Sequence, residues 1–355
     1  MLLSSIKGIK ITGISAAVSN KWTALDSFIN EENDERTIRK FMKSTGVQGR
    51  YDAGERQTTS DFCYAAAKEL LKRKAVDPCE IGALVFVTQT ADYGIPATAC
   101  VLQYRLGLPK DCIVFDINLG CSGFTYGVNI VCSLMKANNI DKALLLCGDT
   151  SAKNRSKKTV KHTHAANWLF GDSGTATLLE KEDDANIYVS ARTDGAGYKA
   201  IIAPYGGYRN PEKPKGKIQP SQMDDMAVFE FSTSEVPALI NETMAGLGTT
   251  PGDYDCLVLH QANMMIMKQI AKKTGFEPEK NLVSIDKFGN TSSSSVPITL
   301  VNQYGENEGN KAIRALMCGF GVGLSWSIVD AVIETDAVLP LIHTDEYFED
   351  GFYVD

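Results

Sequence analysis

Apolar residues recur along this chain at two alternating periods. Short, nearly continuous apolar runs predict strands: SIKGIKITGISAAV (5–18), ALVFVTQT (83–90), CIVFDIN (112–118) and ALLLCGDT (143–150). Between them lie segments whose apolar residues fall three and four apart, predicting helices: SDFCYAAAKELLKRK (60–74), ATACVLQYRLGL (97–108) and FTYGVNIVCSLMKAN (124–138). After GTATLLEK (174–181), a Gly- and Pro-rich stretch from Gly195 to Pro220 breaks the pattern and reads as a loop or lid. The alternation resumes with EVPALINETMAGL (235–247), CLVLH (256–260), ANMMIMKQIAKKT (262–274), SVPITLVNQYG (295–305), KAIRALMCGF (311–320) and VGLSWSIVDAVIE (322–334). Such a series implies an α/β fold, with mixed or parallel sheets covered by helices. The two halves share an element order without a residue-level repeat. The last twenty residues, Asp336–Asp355, are acidic and aromatic, a tail that is either docked or frayed.

At 355 residues the chain is long enough for two packed domains or one large duplicated one. Its net charge of −7 gives the whole molecule no electrostatic pull toward nucleic acid or an anionic membrane. No apolar run reaches the roughly 18 residues of a membrane span, and the start has no signal-peptide pattern, so a cytoplasmic location is expected. The nine cysteines are scattered without CxxC spacing, and Cys112, Cys132, Cys147 and Cys256 stand in apolar runs. They read as buried, reduced thiols, which argues against disulfides and a zinc site. His162 and His164 have no third ligand near them, so no metal is expected there.

One cysteine is different. Cys121 lies where the CIVFDIN strand meets the glycine-flanked turn LGCSG and then a helix. A helix starting just beyond it would aim N–H donors at the sulfur and favour thiolate. Gly120 and Gly123 would let the backbone turn tightly and a substrate come close. His260 ends the apolar run of LVLHQANMMIM, and Asn290 sits in the turn FGNTSSSSVP. Each is at the end of an apolar element, where active-site residues of layered α/β folds gather. The order Cys, His, Asn also suits a papain-like cysteine peptidase, with His260 as base and Asn290 orienting it. Against that reading, the local peptidase signature around the cysteine is absent and HQAN and GFGVG go unexplained.

DINLGCSGFTYG, HQAN, GNTSSSSVP and GFGVGLSW, in this order, resemble the signature blocks of β-ketoacyl-acyl-carrier-protein synthase III, a condensing enzyme of the thiolase superfamily. The likeness runs from about Ile6 to about residue 334. It implies a thiolase-like, five-layered αβαβα fold of two similar halves, residues 1–182 with the cysteine and 183–335 with the histidine and asparagine, followed by the 336–355 tail. It implies an acyltransferase of fatty-acid or related acyl-chain biosynthesis, which joins an acyl thioester to malonyl-acyl carrier protein through an acyl-Cys121 intermediate. His260 and the Asn290 amide would hold the enolate, and the backbone N–H groups of Cys121 and Val322 the tetrahedral oxyanion. At Val322 the family commonly has glycine. Metal and redox cofactors are not implied, because loss of carbon dioxide supplies the electrons.

The same resemblance offers substrate contacts at Ile95, Phe320 and Asn263, with Ile95 reaching across a homodimer to floor the partner's acyl pocket. Lys40 stands where the family has a tryptophan that stacks on coenzyme A, so coenzyme A and acyl carrier protein both stay open as acyl donors. Carrier docking needs a local basic patch on this acidic chain. Lys268, Lys272 and Lys273, or Arg155 within KNRSKK (153–158) together with Lys161, are the candidates. Two other readings of the fold stay open: an acyltransferase moving acyl groups to oxygen or nitrogen without condensation, and a non-catalytic partner of another synthase.

Overall fold

The computed structural model describes residues 3–30, 33–153, 168–212 and 222–352. The long β1 (Leu3–Val18) is followed by a two-stranded ladder of β2 (Trp22–Ala24) and β3 (Gly49–Tyr51), with α1 (Glu35–Thr45) between them. Asp34 starts α1 by accepting the Thr37 N–H, and Gly46 stops it in the left-handed conformation. Next come α2 (Thr59–Arg73), β4 (Ile81–Val87), α3 (Thr98–Leu106), β5 (Ile113–Ile117), α4 (Gly123–Asn138) and β6 (Lys142–Asp149), as the periodicity predicts. β7 (Ser173–Thr193) leads through the small β8 (Ile201–Ile202) and β9 (Gln222–Met223) pair to α5 (Asp225–Leu247). Then follow β10 (Cys256–Leu259), α6 (Met264–Thr274), α7 (Ser295–Tyr304), β11 (Ala312–Gly321), β12 (Ser325–Glu334) and β13 (Ile342–His343).

The main strands line up as β10-β11-β12-β7-β6-β4-β5, with β1 alongside β7. β5, β4 and β6 are mutually parallel, as are β10 and β11, while β7 and β12 run antiparallel to their neighbours. The parallel strands are almost continuously apolar because helices cover both faces. α4 packs on β4 and β6 on one side and on β11 and β12 on the other, while α7 meets β1, β10 and β11. These two helices form the middle layer. α2 and α3 cover the outside of the first sheet region, and α5 and α6 the outside of the second. The result is the five-layered αβαβα arrangement. Gly127 permits the close approach of α4, since a Cβ there would lie 2.6 Å from Leu145 Cδ1.

Two elements run further than their patterns predict. β7 continues through the exposed charges Lys181–Asp184: Ser173–Glu180 pairs with β6, and Tyr188–Thr193 pairs with β12. β1 spans both parts, shifting register between Lys7 and Ile9. The 182/183 boundary thus falls inside a strand, at the point where partners change. α5 begins ten residues before Glu235, capped by Asp224 accepting the N–H groups of Met226 and Ala227. Pro237 is buried in its interior. In the Gly195–Pro220 stretch the described part holds a short turn at Gly195–Gly197 and β8, and residues 213–221 lie outside the described residues.

The tail is docked. β13 pairs with the end of β1, and Gln57 Nε2 donates to the carbonyls of Thr344 and Glu346 at 3.0 Å each. The Arg105 guanidinium lies between the Tyr64 and Phe348 rings, and Tyr93 donates to Asp350.

Candidate active site

Cys121 occupies the turn between β5 and α4 and is half-buried there. Gly319 and Gly321 on β11 let that turn lie directly on the strand. A Cβ on Gly321 would stand 2.6 Å from Cys121 Cβ and 2.9 Å from Sγ, and one on Gly319 3.0 Å from the Cys121 carbonyl. The start of α4 is tied to β12 by Ser122–Ser325 (2.7 Å) and Thr125–Ser327 (2.5 Å) hydroxyl pairs. Burial pushes the Cys121 thiol up to about 12, and the charge of Asp149 adds to the rise. The N–H groups of Val322 and of Cys121 itself oppose that shift. The donors at the helix start thus favour thiolate as expected, and burial acts against them by more.

His260 lies at the end of β10, and its N–H extends the ladder by donating to the Cys318 carbonyl at 2.8 Å. Its ring meets Phe320 edge to face at 5.5 Å, and Nδ1 lies 2.7 Å from Ser295 Oγ. Burial pulls its pKa down to about 3, with the Ser292 backbone opposing, so the imidazole is neutral at physiological pH. Gln261 braces the turn: its Nε2 donates to the Leu259 carbonyl at 2.8 Å, and its Oε1 accepts the Ser284 N–H at 2.9 Å.

Asn290 is held on both sides of its backbone, donating to the Leu169 carbonyl and accepting the Gly171 N–H. Gly289, at φ +64°, is required here because a Cβ would lie 2.6 Å from the Leu169 carbonyl oxygen. The Asn290 Oδ1 accepts the Ser292 N–H at 2.9 Å. That bond identifies the oxygen and leaves the NH2 group without a partner among the described residues. Asn290 therefore does not orient His260; Ser295 takes the imidazole Nδ1 instead. The relay of a papain-like peptidase is not built.

The three junctions meet through these contacts. Cys121 packs on Gly321, His260 on the adjacent Phe320, and the Ser292–Ser293 turn beside Asn290 lies against Gly120 and Gly123. Asp149, buried at the end of β6, bonds the Gln89 N–H at 2.7 Å and the hydroxyls of Thr88, Thr90 and Ser293. It links the strand-end loop to the serine turn. Sequence reasoning passed over Asp149, Gln261 and Ser295, although ALLLCGDT, HQAN and the serine run are all visible.

Residues 115–195 match the family described as 3-oxoacyl-[acyl-carrier-protein (ACP)] synthase III, and residues 244–331 its C-terminal part. A β-ketoacyl-[acyl-carrier-protein] synthase III of Desulfitobacterium hafniense is 31% identical over 332 residues, covering 90% of this chain and 96% of the relative. The chain belongs to the β-ketoacyl-[acyl-carrier-protein] synthase III family. A synthase III of Symbiobacterium thermophilum is 30% identical over 90% of this chain and 97% of its own length. The crystal structure of a 3-oxoacyl-(acyl-carrier protein) synthase from Burkholderia xenovorans LB400 has a TM-score of 0.89 at 33% identity, covering 97% of this chain and 99% of that one.

The remaining residues that the synthase III resemblance offered are dispersed around this centre. Phe320 is buried against His260, whereas Ile95 is 88% exposed on the loop before α3. Asn263 caps α6, its oxygen accepting the Ile266 N–H at 2.8 Å. Lys268 and Lys272 are exposed on α6, while Lys273 Nζ donates to the Thr233 carbonyl at 2.6 Å. Lys40 is exposed on α1. Arg155, Lys161, His162 and His164 lie outside the described residues, as does KNRSKK beyond Lys153. Among the described residues no group of His, Cys, Asp or Glu could hold a metal ion, and no helix is long and apolar enough to cross a membrane.

Proposed function

We propose that this condensing acyltransferase joins an acyl thioester to malonyl-acyl carrier protein, with Cys121 as the acyl carrier. Cys121 Sγ attacks the donor carbonyl, and the donor thiol leaves with the cysteine's proton. The malonyl carboxylate then leaves as carbon dioxide, and its electron pair becomes the enolate. The enolate carbon attacks acyl-Cys121, and the sulfur leaves and takes up a proton, giving the β-ketoacyl thioester. No oxidant, reductant or metal is needed, because breaking the carboxylate bond supplies the pair that forms the new carbon–carbon bond.

His260 and the Asn290 NH2 group act as donors to the enolate oxygen, and the N–H groups of Cys121 and Val322 as donors to the tetrahedral oxyanion. The observation that carries this reading is the Cys121 side chain packed directly on Gly321 of β11, one residue from Phe320, whose ring meets that of His260 edge to face at 5.5 Å. Phe320 shields the malonyl site, and Asn263 and Ile95 line the substrate path. Lys268 and Lys272 form the carrier-docking face.

The enzyme works as a homodimer in the cytoplasm. In support, β5 ends the sheet with an edge that pairs with no further strand among the described residues, and along it Val114, Phe115 and Ile117 are only half-buried. Asp116 on that strand accepts the N–H groups of Thr98 and Ala99, which fixes the Ile95 loop beside the edge. Intact-protein mass spectrometry with a panel of acyl thioesters tests the reading. An adduct on Cys121 that malonyl-carrier protein discharges as a two-carbon-longer β-ketoacyl product is expected. An adduct discharged only to an oxygen or nitrogen acceptor, or no adduct with any donor, overturns it.

A further inference from the structure

Resting on that reading, in which His260 donates to the enolate, the geometry around its ring assigns a role to a residue outside the reacting set. A neutral imidazole carries one proton, and the group facing one nitrogen decides which nitrogen holds it. Ser295 Oγ sits 2.7 Å from Nδ1 in the first turn of α7, fully buried. A serine in a helix ordinarily donates its hydroxyl to a carbonyl one turn back. Ser294 does this, to Thr291 at 2.8 Å, but Ser295 has no such bond; His260 Nδ1 is its hydroxyl's one partner among the described residues. A buried hydroxyl proton without an acceptor is costly, and Nδ1 is the acceptor at hand. The Ser292 backbone also interacts with the ring and favours its protonated form, as an acceptor of a ring N–H does.

We propose that Ser295 is a positioning residue that donates its hydroxyl to His260 Nδ1 and so keeps the imidazole proton on Nε2, the nitrogen free to serve the enolate. It touches no substrate. It also locks the ring against rotation, together with Phe320, which meets it edge to face, and the His260 N–H bond to the Cys318 carbonyl.

The test uses the full-length protein with 15N-labelled histidine, the His260 signals being identified by their loss in His260→Ala. The expected spectrum at neutral pH has a protonated Nε2 and an unprotonated, hydrogen-bonded Nδ1. A proton on Nδ1 overturns the proposal whatever the enzyme's activity, so its failure is distinguishable from failure of the condensation reading. In Ser295→Ala, acyl transfer to Cys121 should stay within a few-fold of the parent, while malonyl decarboxylation and condensation fall about tenfold, the usual consequence of losing one hydrogen bond. Ser295→Thr, which retains the hydroxyl, should recover most of the loss and the parent 15N pattern. Condensation by Ser295→Ala at the parent rate, or equal loss of acyl transfer and condensation, counts against it. If Ser295→Ala does not fold, the parent spectrum and the Ser295→Thr variant decide the question.

Discussion

Replacing Gly321 by alanine should disable the nucleophile without touching its chemistry. The added methyl would stand 2.6 Å from Cys121 Cβ and 2.9 Å from Sγ, whereas carbon atoms in ordinary contact sit about 3.5–4.0 Å apart. Either the thiol or β11 must therefore shift by roughly 1 Å. A misplacement of that size costs about 10²-fold in a reaction that depends on attack geometry. β11 is held on both sides, by β10 and β12, so the Cys121 turn is the part that yields. Overpacking of this kind costs about 1–3 kcal/mol, and the positive φ of Gly321 (+156°) adds backbone strain to it. The assay is the time course of acyl adduct formation on Cys121, read by intact mass, alongside a thermal melt. Gly252→Ala is the control, since its nearest atom would be Thr250 Oγ1 at an ordinary 3.4 Å. A folded Gly321→Ala protein that acylates at the parent rate would refute the packing argument.

Other consequences can be measured separately. His260→Ala and Asn290→Ala should each lower decarboxylation about 10²–10³-fold while leaving acyl transfer to Cys121 nearly intact; condensation at the parent rate in either would remove that residue from the oxyanion role. Alkylation of Cys121 by iodoacetamide should keep rising with pH above 9 toward about 12, because burial disfavours the thiolate, and a plateau near pH 9 would contradict that. Unfolding should ease as pH falls from 6.5 toward about 3, because the unfolded chain then binds a proton that buried His260 refuses. Asp172 works the other way: burial raises its carboxyl to about 7, so its contribution is full below about 3.8 and fades as pH rises through 7. His260→Gln should flatten the acid side of the stability curve by up to one proton, read from urea midpoints at several pH values; an unchanged slope would show that the ring is not held neutral. Ile95→Asp should shift a dimer toward monomer in sedimentation, and an unchanged dimer would place the interface elsewhere.

The alternating runs made the layered fold legible, because strands covered on both faces must be apolar almost throughout, as in Ile81–Val87 and Lys142–Asp149. The positions of Cys121, His260 and Asn290 at element ends were legible for a related reason: a strand of this kind leaves chemistry only to its tip. Other features were hidden. Lys181–Asp184 looks like the end of a strand, but β7 carries these charges across an exposed stretch while its backbone stays paired with β1 on either side. The periodic pattern starts this helix at Glu235 because local sequence does not reveal that α5 is already capped at Asp224. The thiol's pKa depends on how completely β11 and the serine turn close over it, and those strands come from the other half of the chain. Ser295 was hidden for the opposite reason, since in a run of four serines nothing local says which hydroxyl meets the histidine.

A buried thiol held near 12 beside an imidazole held near 3 looks poorly matched for nucleophilic catalysis, which usually favours a thiolate paired with an imidazolium. Condensation asks for something else. A thiolate–imidazolium pair would place an acid next to the enolate, and protonation of that carbon would waste the malonyl group. A neutral imidazole can donate a hydrogen bond to the enolate oxygen without surrendering its proton. The thiol's high pKa is an obstacle only until acylation, after which the sulfur is a neutral thioester and burial costs nothing. In the mechanism proposed above, the same packing that raises the free thiol's pKa also limits the approach of water to acyl-Cys121. In that mechanism, the reactivity needed for acyl transfer falls to the Cys121 and Val322 N–H groups as donors to the oxyanion as it forms. Loss of packing around Cys121 should thus raise thiolate content and hydrolysis of the acyl-enzyme together, while the yield of condensed product falls.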